Sequence, residues 1–397
     1  MSEVLRLSAQ QDRRLRAGHL WIYSNEVDTA ATPLKAFTPG QAVQIENAQG
    51  KWLGLGYVNP NSLICARVVS RDRAVALDES LFVHRIKVAL SLRERLYAQP
   101  YYRLLFGEAD GVPGVVVDRY GDYLVLQLTT AGMDVLREAI VAALVKVLKP
   151  LGIVLRNDSA TRELEGLTRY VELAYGDMPD SVAVEEGGCR FEVSPSLGQK
   201  TGWFYDQAAN RDAFVPFVAG RRVLDVCSYV GAWSVRAARA GATQVTAVDA
   251  SAQALDQVRH HAAMNGCEDR VTCVQGDAFH ALRDLRTQRE RYDVVVLDPP
   301  AFIKRKKDMK EGTLAYRRLN EAALALLERD GLLVTASCSF HMHRDELLRT
   351  VQQAARHSDR SLQLLKQGQQ SPDHPIHPAI PETAYLKAFF MRVLPTL

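Results

Sequence analysis

The sequence lacks the features that mark a membrane, secreted or metal-binding protein. No apolar stretch approaches the ~20 residues that a membrane-spanning helix needs, and the opening MSEVLRLSAQQDRR lacks the apolar core of a signal peptide. The six cysteines show no paired metal-ligand spacing. We therefore expect a cytoplasmic protein with reduced thiols, no metal and no membrane partner.

A large excess of charge of one sign is also missing. The net charge is +3 over 397 residues, of which 47% are hydrophobic and 24% charged, as in a globular protein with a sizeable core. Any nucleic-acid binding must therefore come from local basic patches. The length suits two or three domains, and we predict boundaries at 1–72, 73–195 and 196–397.

One βαβ unit has a turn that is poor in glycine. An apolar run from Val223 ends in Asp225, a helix is predicted over Ala232–Ala240, and a second apolar strand ends in Asp249. Gly231 is the one glycine of the turn, so the G-x-G-x-x-G that holds a dinucleotide pyrophosphate is absent. A cofactor with a ribose and no phosphate, S-adenosylmethionine, fits better. The alternative is an ordinary crossover in which the second aspartate only caps the next helix.

Three later strands also end in polar residues. Asp277 follows the run at 271–275, and it could accept from adenine, cap the next helix, or do both. Asp298 follows the strand at 292–297 and precedes two prolines, which end that strand rigidly. Cys338 ends LLVTASCS, where it is either a core thiol or a partly exposed nucleophile. A seven-stranded, Rossmann-like sheet in 196–397 explains this order of polar strand ends. In such open α/β sheets ligands bind at the carboxyl edge of the strands.

The stretch before the βαβ unit, Lys200 to Gln207, is dense in aromatic, amide and charged residues that could close over an adenosyl group. The predicted cofactor contacts are Tyr205, Gln207, Asp225, Cys227, Ser228, Tyr229, Gly231, Asp249, Ala250, Ser251, Asp277, Ala278 and Asp298. Further on, we predict a helix over 313–328 and a final edge strand in AYLKAFFMRVL.

The N-terminal region has the pattern of short strands with turn signals every 8–12 residues. This pattern predicts a small β-barrel. Its segments RRLRAGHLWIYSNEV and GKWLGLGYVNPNSLICARVV resemble a PUA domain, an RNA-binding module. The middle region predicts an α+β scaffold, with helices at 81–96 and 134–148 and a hairpin turn at 120–122. The predicted RNA contacts are Arg13, Arg14, Arg16, Lys200, Lys304, Arg305, Lys306 and Lys307.

Nearly the whole chain resembles the RNA (cytosine-5) methyltransferases that carry a PUA domain, in particular the bacterial large-subunit rRNA enzymes. The segments that carry the resemblance are GQKTGWFYDQ, VLDVCSYVGAWSV, VLDPPAF and TASCS. Two departures stand out. The second cysteine that related two-cysteine enzymes carry after the fourth-strand aspartate is missing, and Ala208 stands where the closer group has arginine after Asp-Gln, although Arg211 is kept.

The resemblance implies a covalent mechanism. Carbon 5 of cytosine is a poor nucleophile, so the Cys338 thiolate would add at C6 while Asp298 assists at N3. The base that removes the C5 proton is not assigned. The expected partners are an rRNA substrate and, as one option, a second copy of the chain. The alternatives are guanine-N7 or amino-group methylation, which needs no thiol, and an RNA-binding assembly factor.

Overall fold

The computed structural model describes residues 3–199 and 201–396. The chain divides into two compact units. The first contains Met1–Val184, Glu192–Tyr205 and Pro372–Thr383, and the second contains Glu185–Phe191, Asp206–Ser371 and Ala384–Leu397.

Five short strands and one helical turn form the N-terminal part of the first unit. They are β1 (Glu3–Arg6), α1 (Arg13–Arg16), β2 (Trp21–Ile22), β3 (Gln41–Glu46), β4 (Trp52–Val58) and β5 (Ala66–Ser70). The sheet order is β1-β3-β4-β5-β2, with β1 parallel to β3 and the other pairs antiparallel. Alternate residues such as Val43 and Ile45 point into the core.

The small β-barrel predicted for this region is not found in the part of the chain that the structure describes. Among the described residues β1 and β2 stay at opposite edges of an open sheet. A single bridge, Leu7 to Val27, joins the segments that follow these two strands. The ladder does not extend because β2 is two residues long and a tight turn at Ser24–Glu26 follows it directly.

The middle of the first unit is a second five-stranded sheet packed on helices. Its elements are α2 (Glu79–Leu96), β6 (Tyr101–Phe106), β7 (Val115–Tyr120), β8 (Tyr123–Leu128), α3 (Ala131–Val135), α4 (Arg137–Leu148), β9 (Gly152–Asn157) and β10 (Tyr170–Gly176). The order is β10-β9-β8-β7-β6, and the hairpin predicted at Gly121 is confirmed. The single helix expected at 134–148 is two helices that meet at Leu136. A separate hairpin follows, β11 (Val182–Glu186) and β12 (Cys189–Val193).

Seven strands of the second unit form one sheet in the order β15-β14-β13-β16-β17-β19-β18. The elements are α5 (Ala208–Phe214), β13 (Arg222–Val226), α6 (Ala232–Arg239), β14 (Gln244–Asp249), α7 (Ala252–Met264), β15 (Val271–Gln275), α8 (Ala278–Thr287), β16 (Tyr292–Leu297), α9 (Met309–Leu324), β17 (Leu327–Ser337), α10 (Arg344–His357), β18 (Arg360–Gly368) and β19 (Lys387–Pro395). The first five strands of this order are parallel and β19 is antiparallel to both neighbours. The apolar runs of β13, β14, β16, β17 and β19 are buried, as expected for strands covered on both faces.

Two sequence predictions near the C-terminus are wrong. The helix expected to run to Glu328 ends at Leu324, because the chain turns there, Leu326 is buried in the core and β17 begins at Leu327. The strand at 387–395 is not an edge strand, since it lies between β17 and β18. The edge is β18, whose residues are mostly exposed.

Candidate active site

The polar strand ends of the second unit meet at one edge of its sheet. Asp277, Asp249, Asp225, Asp298 and Cys338 lie at or just after the carboxyl ends of β15, β14, β13, β16 and β17. These five strands are parallel neighbours in that order, so the side chains follow one another along the edge. The sequence prediction that they share one edge is confirmed.

The turn after β13 has an unusual backbone. Cys227, Tyr229 and Gly231 have φ angles of 64°, 49° and 86°, in the left-handed region that costs energy for residues other than glycine. A Cβ on Gly231 would lie 3.1 Å from Val258 of α7, which is a tight contact, and its φ is one that residues with a side chain rarely adopt. His261 on the same helix hydrogen-bonds the carbonyl oxygen of Val230 through Nδ1 at 2.8 Å. The turn is therefore held in a strained shape, as is common at ligand sites.

Asp249 is oriented by two backbone amides. Oδ2 accepts from the amide of Tyr229 and Oδ1 from that of Ser251, each at 2.9 Å. Each carboxylate oxygen has a second lone pair, so both can still accept from a hydroxyl. The half-buried carboxylate thus presents two oriented acceptors, which suits the two hydroxyl donors of a ribose. Its neighbour Ala250 is exposed.

Two buried polar atoms beside this turn lack a hydrogen-bond partner among the described residues. They are Oδ1 of Asp225 and the hydroxyl of Ser228. Oδ2 of Asp225 accepts from Ser234 at 2.6 Å. Burial raises the pKa of Asp225 to about 7, opposed by that hydrogen bond and reinforced by the charge of Asp298. Buried orphan atoms cost free energy unless a ligand or water satisfies them, so they fit a polar cofactor at this turn.

Asp277 caps α8. Its Oδ1 accepts from the amides of Phe279 and His280 at 3.0 and 3.4 Å, so the cap expected from the sequence is present. Its side chain is exposed, and half-buried Ala278 follows it. The ring of Phe279 stacks on Phe302 with centroids 6.4 Å apart. This arrangement leaves an apolar surface beside a carboxylate, which suits an adenine ring with its exocyclic amine.

Asp298 receives a hydrogen bond on each oxygen. Gln207 donates to Oδ1 at 2.8 Å and the indole of Trp233 donates to Oδ2 at 3.2 Å. Burial raises the pKa of Asp298, while the Trp233 hydrogen bond acts against that rise. A carboxyl group with a raised pKa can hold a proton to donate. Gln207 was predicted to touch the cofactor, and the structure shows that it orients this aspartate.

Cys338 is half-buried, between two buried serines. Ser337 donates to the hydroxyl of Tyr316 at 2.8 Å, and that hydroxyl hydrogen-bonds Ser339 at 2.9 Å. Ser339 Oγ also accepts from the amide of Ile303 at 3.1 Å. One tyrosine on α9 therefore holds the backbone on both sides of the thiol. The same serine ties this segment to the loop that follows Asp298.

The other five cysteines are poorly suited to ionise. Burial raises the pKa of Cys227 to about 12, and the charges of four surrounding aspartates add to the effect. Burial likewise raises the pKa of Cys65 to about 12 and that of Cys267 to about 11, and it raises those of Cys189 and Cys273. All six cysteines are free thiols. The carboxyl edge thus carries two thiols, and the acids around Cys227 make it the weaker nucleophile.

The segment before the βαβ unit is divided between the two units. Tyr205 belongs to the first, where its hydroxyl donates to the carbonyl of Arg119 at 2.9 Å. Asp206 belongs to the second and accepts from Tyr385 at 2.6 Å. Buried Arg211 makes a two-bond ion pair with Glu186 at 2.5 and 2.6 Å.

The basic run Lys304–Lys307 of the second unit is exposed. Within it, Arg305 pairs with Asp308 at 3.3 Å, which leaves the three lysines directed to solvent as a compact positive patch. Lys200, also predicted to contact RNA, lies outside the described residues.

Two of the three predicted arginines of the first unit form ion pairs. Arg14 binds both oxygens of Glu26 at 2.7 and 2.9 Å, and Arg16 pairs with Asp12 at 2.6 Å. Arg13 is exposed. The structure therefore leaves Arg13 as the most available of them for phosphate.

Three residues of the site were not found from the sequence: Trp233, Tyr316 and Lys387. Each lies in a helix or strand whose sequence is typical of a core element. The role of each side chain depends on contacts with residues far away in the chain. Lys387 carried one signal, a lysine in an otherwise apolar strand. In the part of the chain that the structure describes, no cluster of three or more metal-ligating side chains occurs. No described helix is long and apolar enough to span a membrane.

Two family models match the chain. One is a PUA-like domain over residues 5–71, and the other is an S-adenosylmethionine-dependent methyltransferase over residues 163–392. Ribosomal RNA large subunit methyltransferase I of Klebsiella pneumoniae (strain 342) is 37% identical over 393 residues, which are 98% of each chain. The protein of that name from Shewanella amazonensis is 37% identical over 399 residues, covering 99% of this chain and all of the relative.

Solved structures share the fold. A methyltransferase in complex with SAH aligns with a TM-score of 0.84 at 23% identity, covering 98% of this chain and 100% of that chain. A methyltransferase from Streptococcus mutans aligns with a TM-score of 0.82 at 22% identity and the same coverage. The cofactor of the matching family agrees with the oriented Asp249 carboxylate and the two orphan polar atoms of the turn.

Proposed function

The chain belongs to the S-adenosylmethionine-dependent methyltransferase family, together with the ribosomal RNA large subunit methyltransferases I, and we propose that it methylates carbon 5 of a cytosine in large-subunit rRNA. The observation that carries the proposal is the placement of Cys338. A half-buried thiol lies at the carboxyl edge, and Ser339 ties its segment to the loop that follows Asp298. Methylation at a ring nitrogen would not need such a thiol. An rRNA substrate also implies work in the cytoplasm.

Cys338 is the proposed nucleophile. Its thiolate adds to C6 of the cytosine, which makes C5 electron-rich in the manner of an enamine. The Tyr316 hydroxyl fixes the serines on both sides of the cysteine, which holds in place the segment that carries the sulfur. Once C5 carries the methyl group, a base, either water or a nearby side chain, takes the C5 proton. The electron pair of the broken C–H bond forms the C5–C6 double bond, and sulfur leaves as the thiolate.

Asp298 is the proposed partner at N3. Addition at C6 places negative charge on the ring, and a carboxyl group that holds a proton can neutralise it. The raised pKa of Asp298 favours that protonated form. Gln207 and Trp233 fix the orientation of the carboxyl group before the substrate arrives.

The turn after β13 and the strand ends beside it are the proposed cofactor site. With the cofactor bound, Asp249 would accept from the ribose hydroxyls, Asp277 and Ala278 would border the adenine, and Asp225 and Ser228 would bind its polar groups at the turn. Bound there, S-adenosylmethionine supplies an electrophilic methyl group on a sulfonium. The chain's contribution is to orient that cofactor through Asp249 and to exclude water from the buried side of the turn.

The RNA contacts are proposed for exposed basic residues. The Lys304–Lys307 run begins six residues after Asp298 and offers three lysines to phosphate. Arg13 lies in the PUA-like domain, which supports a contribution of that domain to RNA binding.

The test compares Cys338→Ala with a matched control, Cys273→Ala, which removes another half-buried thiol of the same unit. A strain from which the gene is deleted is complemented with each variant. The 5-methylcytosine of its rRNA is then read by bisulfite sequencing. The 5-methylcytosine should be absent in the deletion strain. It should return with Cys273→Ala and stay absent with Cys338→Ala. If Cys338→Ala restores it, the covalent mechanism is wrong. If the deletion removes a methylated guanine instead, the chain is a guanine methyltransferase.

A further inference from the structure

Lys387 is a buried lysine close to the proposed nucleophile. It is 5% exposed and begins β19, where it is paired with Ser337 of β17. Its Nζ donates to the carbonyl oxygen of Ser339 at 2.6 Å and to that of Tyr385 at 2.8 Å. The amino group therefore reaches the residue that directly follows Cys338.

No carboxylate forms an ion pair with this lysine within residues 3–199 and 201–396. Burying an unpaired ammonium group is costly. Burial accordingly lowers the pKa of Lys387 to about 8, with the Arg344 guanidinium acting in the same direction. The negative charge of Cys338 acts in the opposite direction and favours the ammonium form. The anion that would compensate the buried ammonium is thus the thiolate itself.

Two other ionisable groups, Tyr316 beside Cys338 and Arg344 beside Lys387, are unsuited to the same part. Tyr316 of α9 uses its hydroxyl to bind both serines, and burial raises its pKa, so it stays neutral. Arg344 of α10 donates to the carbonyl of Gly368 at 3.1 Å, and a guanidinium does not give up its proton in proteins. Lys387 of β19 is the neighbour that can exchange a proton with sulfur near neutral pH.

We propose that Lys387 is a positioning residue that takes the thiol proton of Cys338 and remains beside the thiolate as an ammonium group. The S–H bond breaks, its electron pair stays on sulfur, and an N–H bond forms on Nζ. The inference rests on the proposed function only in giving Cys338 the role of nucleophile. The ionisation can be measured without RNA or cofactor.

The first experiment follows the alkylation of Cys338 by iodoacetamide against pH, read by mass spectrometry of its peptide. Lys387→Met keeps a long, unbranched side chain and removes the amine. The pH of half-maximal rate should rise by at least about one unit, and the rate at pH 7 should fall by about tenfold. Lys366→Met, at an exposed position of β18, is the control and should leave the profile unchanged. An unchanged profile in folded Lys387→Met would overturn the proposal.

The second experiment keeps the lysine and removes the thiol, because Lys387→Met removes two buried hydrogen bonds and could unfold. Coupled groups perturb each other reciprocally. In protein labelled with ¹³C at lysine Cε, the titration midpoint of Lys387 should be lower in Cys338→Ala than in the wild type. Equal midpoints would contradict a lysine–thiolate pair.

The two proposals fail in different ways. If Cys338→Ala still methylates rRNA, the proposed function is wrong, whatever the alkylation profile shows. If Cys338→Ala is inactive and Lys387→Met alkylates like the wild type, the nucleophile stands and only the role of Lys387 is wrong.

Discussion

At the scale of single residues, Asp249 is the residue proposed to orient the cofactor. Both of its oxygens are fixed by backbone amides, so its carboxylate is presented to a ribose without further rearrangement. Asp249→Ala should weaken S-adenosylmethionine binding by at least tenfold, since each charge-assisted hydrogen bond is worth about 1.5–3 kcal/mol. Calorimetric titration measures this. Asp256→Ala, an exposed carboxylate on α7, serves as control. A change below threefold would place the ribose elsewhere.

Asp225, in the same site, makes the stability of the fold depend on pH. Burial raises its pKa to about 7, above the ~3.9 of an unfolded aspartate. The folded state therefore binds the proton more tightly, and this contribution to stability, full below about pH 4, is lost as the pH rises through 7. Asparagine does not titrate.

The free energy of unfolding of Asp225→Asn, relative to that of the wild type, should therefore increase between pH 4 and pH 8. The expected increase is on the order of 1–4 kcal/mol. Urea denaturation across this range measures it. Asp284→Asn, at an exposed position of α8, should show a constant difference. A constant difference in Asp225→Asn would mean that the carboxyl group titrates as it does in water.

At the scale of elements, α9 contributes to the site through Tyr316. Tyr316→Phe removes the hydroxyl that joins Ser337 and Ser339. We expect a loss of stability of about 1–3 kcal/mol and slower methylation with unchanged cofactor affinity, because the serines beside Cys338 lose their common anchor. Tyr292→Phe removes a second buried hydroxyl, bonded to Thr246 at 3.2 Å, and should cost stability without slowing methylation. Equal activity in the two variants would show that the anchor has no role in catalysis.

The sequence predicts some of these elements well and others poorly. The strands at Val271–Gln275 and Tyr292–Leu297 were predicted with the bounds that the structure shows, because each is an apolar run ended by a polar turn. In contrast, β18 places Leu364, Leu365 and Lys366 together on the surface, with no apolar alternation to reveal a strand. Strand order at the C-terminus depends on pairing between distant segments, which periodicity does not encode.

The candidate site was likewise predicted from the sequence only in part. The acids and Cys338 could be found because the sequence shows where parallel strands end. The hydrogen bond of Gln207 to Asp298 spans 91 residues and that of Trp233 spans 65, so neither follows from local pattern. Lys387 lies beside Cys338 only because β19 inserts next to β17.

At the scale of the whole molecule, a net charge of +3 leaves RNA binding to local patches. Replacing the four basic residues 304–307 by glutamine should weaken rRNA-fragment binding. It should also reduce the slope of log K against log salt by up to about 3, since each phosphate contact contributes about 0.7–0.9. Filter binding at several salt concentrations measures both quantities, while cofactor affinity stays unchanged.

The control for that experiment removes similar charge elsewhere on the same unit. Arg283, Arg286 and Arg289 are exposed on and just after α8. Their replacement by glutamine should alter the slope by less than the replacement of 304–307. If both sets of replacements reduce the slope equally, RNA binding depends on the total charge of the protein and not on a defined patch.

The central claim is covalent catalysis by Cys338, and trapping with 5-fluorocytosine tests it most directly. Fluorine cannot leave C5 as a proton does, so after methyl transfer the sulfur–C6 bond should persist. RNA with 5-fluorocytosine at the target is incubated with enzyme and S-adenosylmethionine, and the linked peptide is identified by mass spectrometry. The account predicts a cofactor-dependent adduct on the peptide that contains Cys338, absent in Cys338→Ala. An adduct on Cys227, or none with RNA whose unmodified form is methylated, would contradict it.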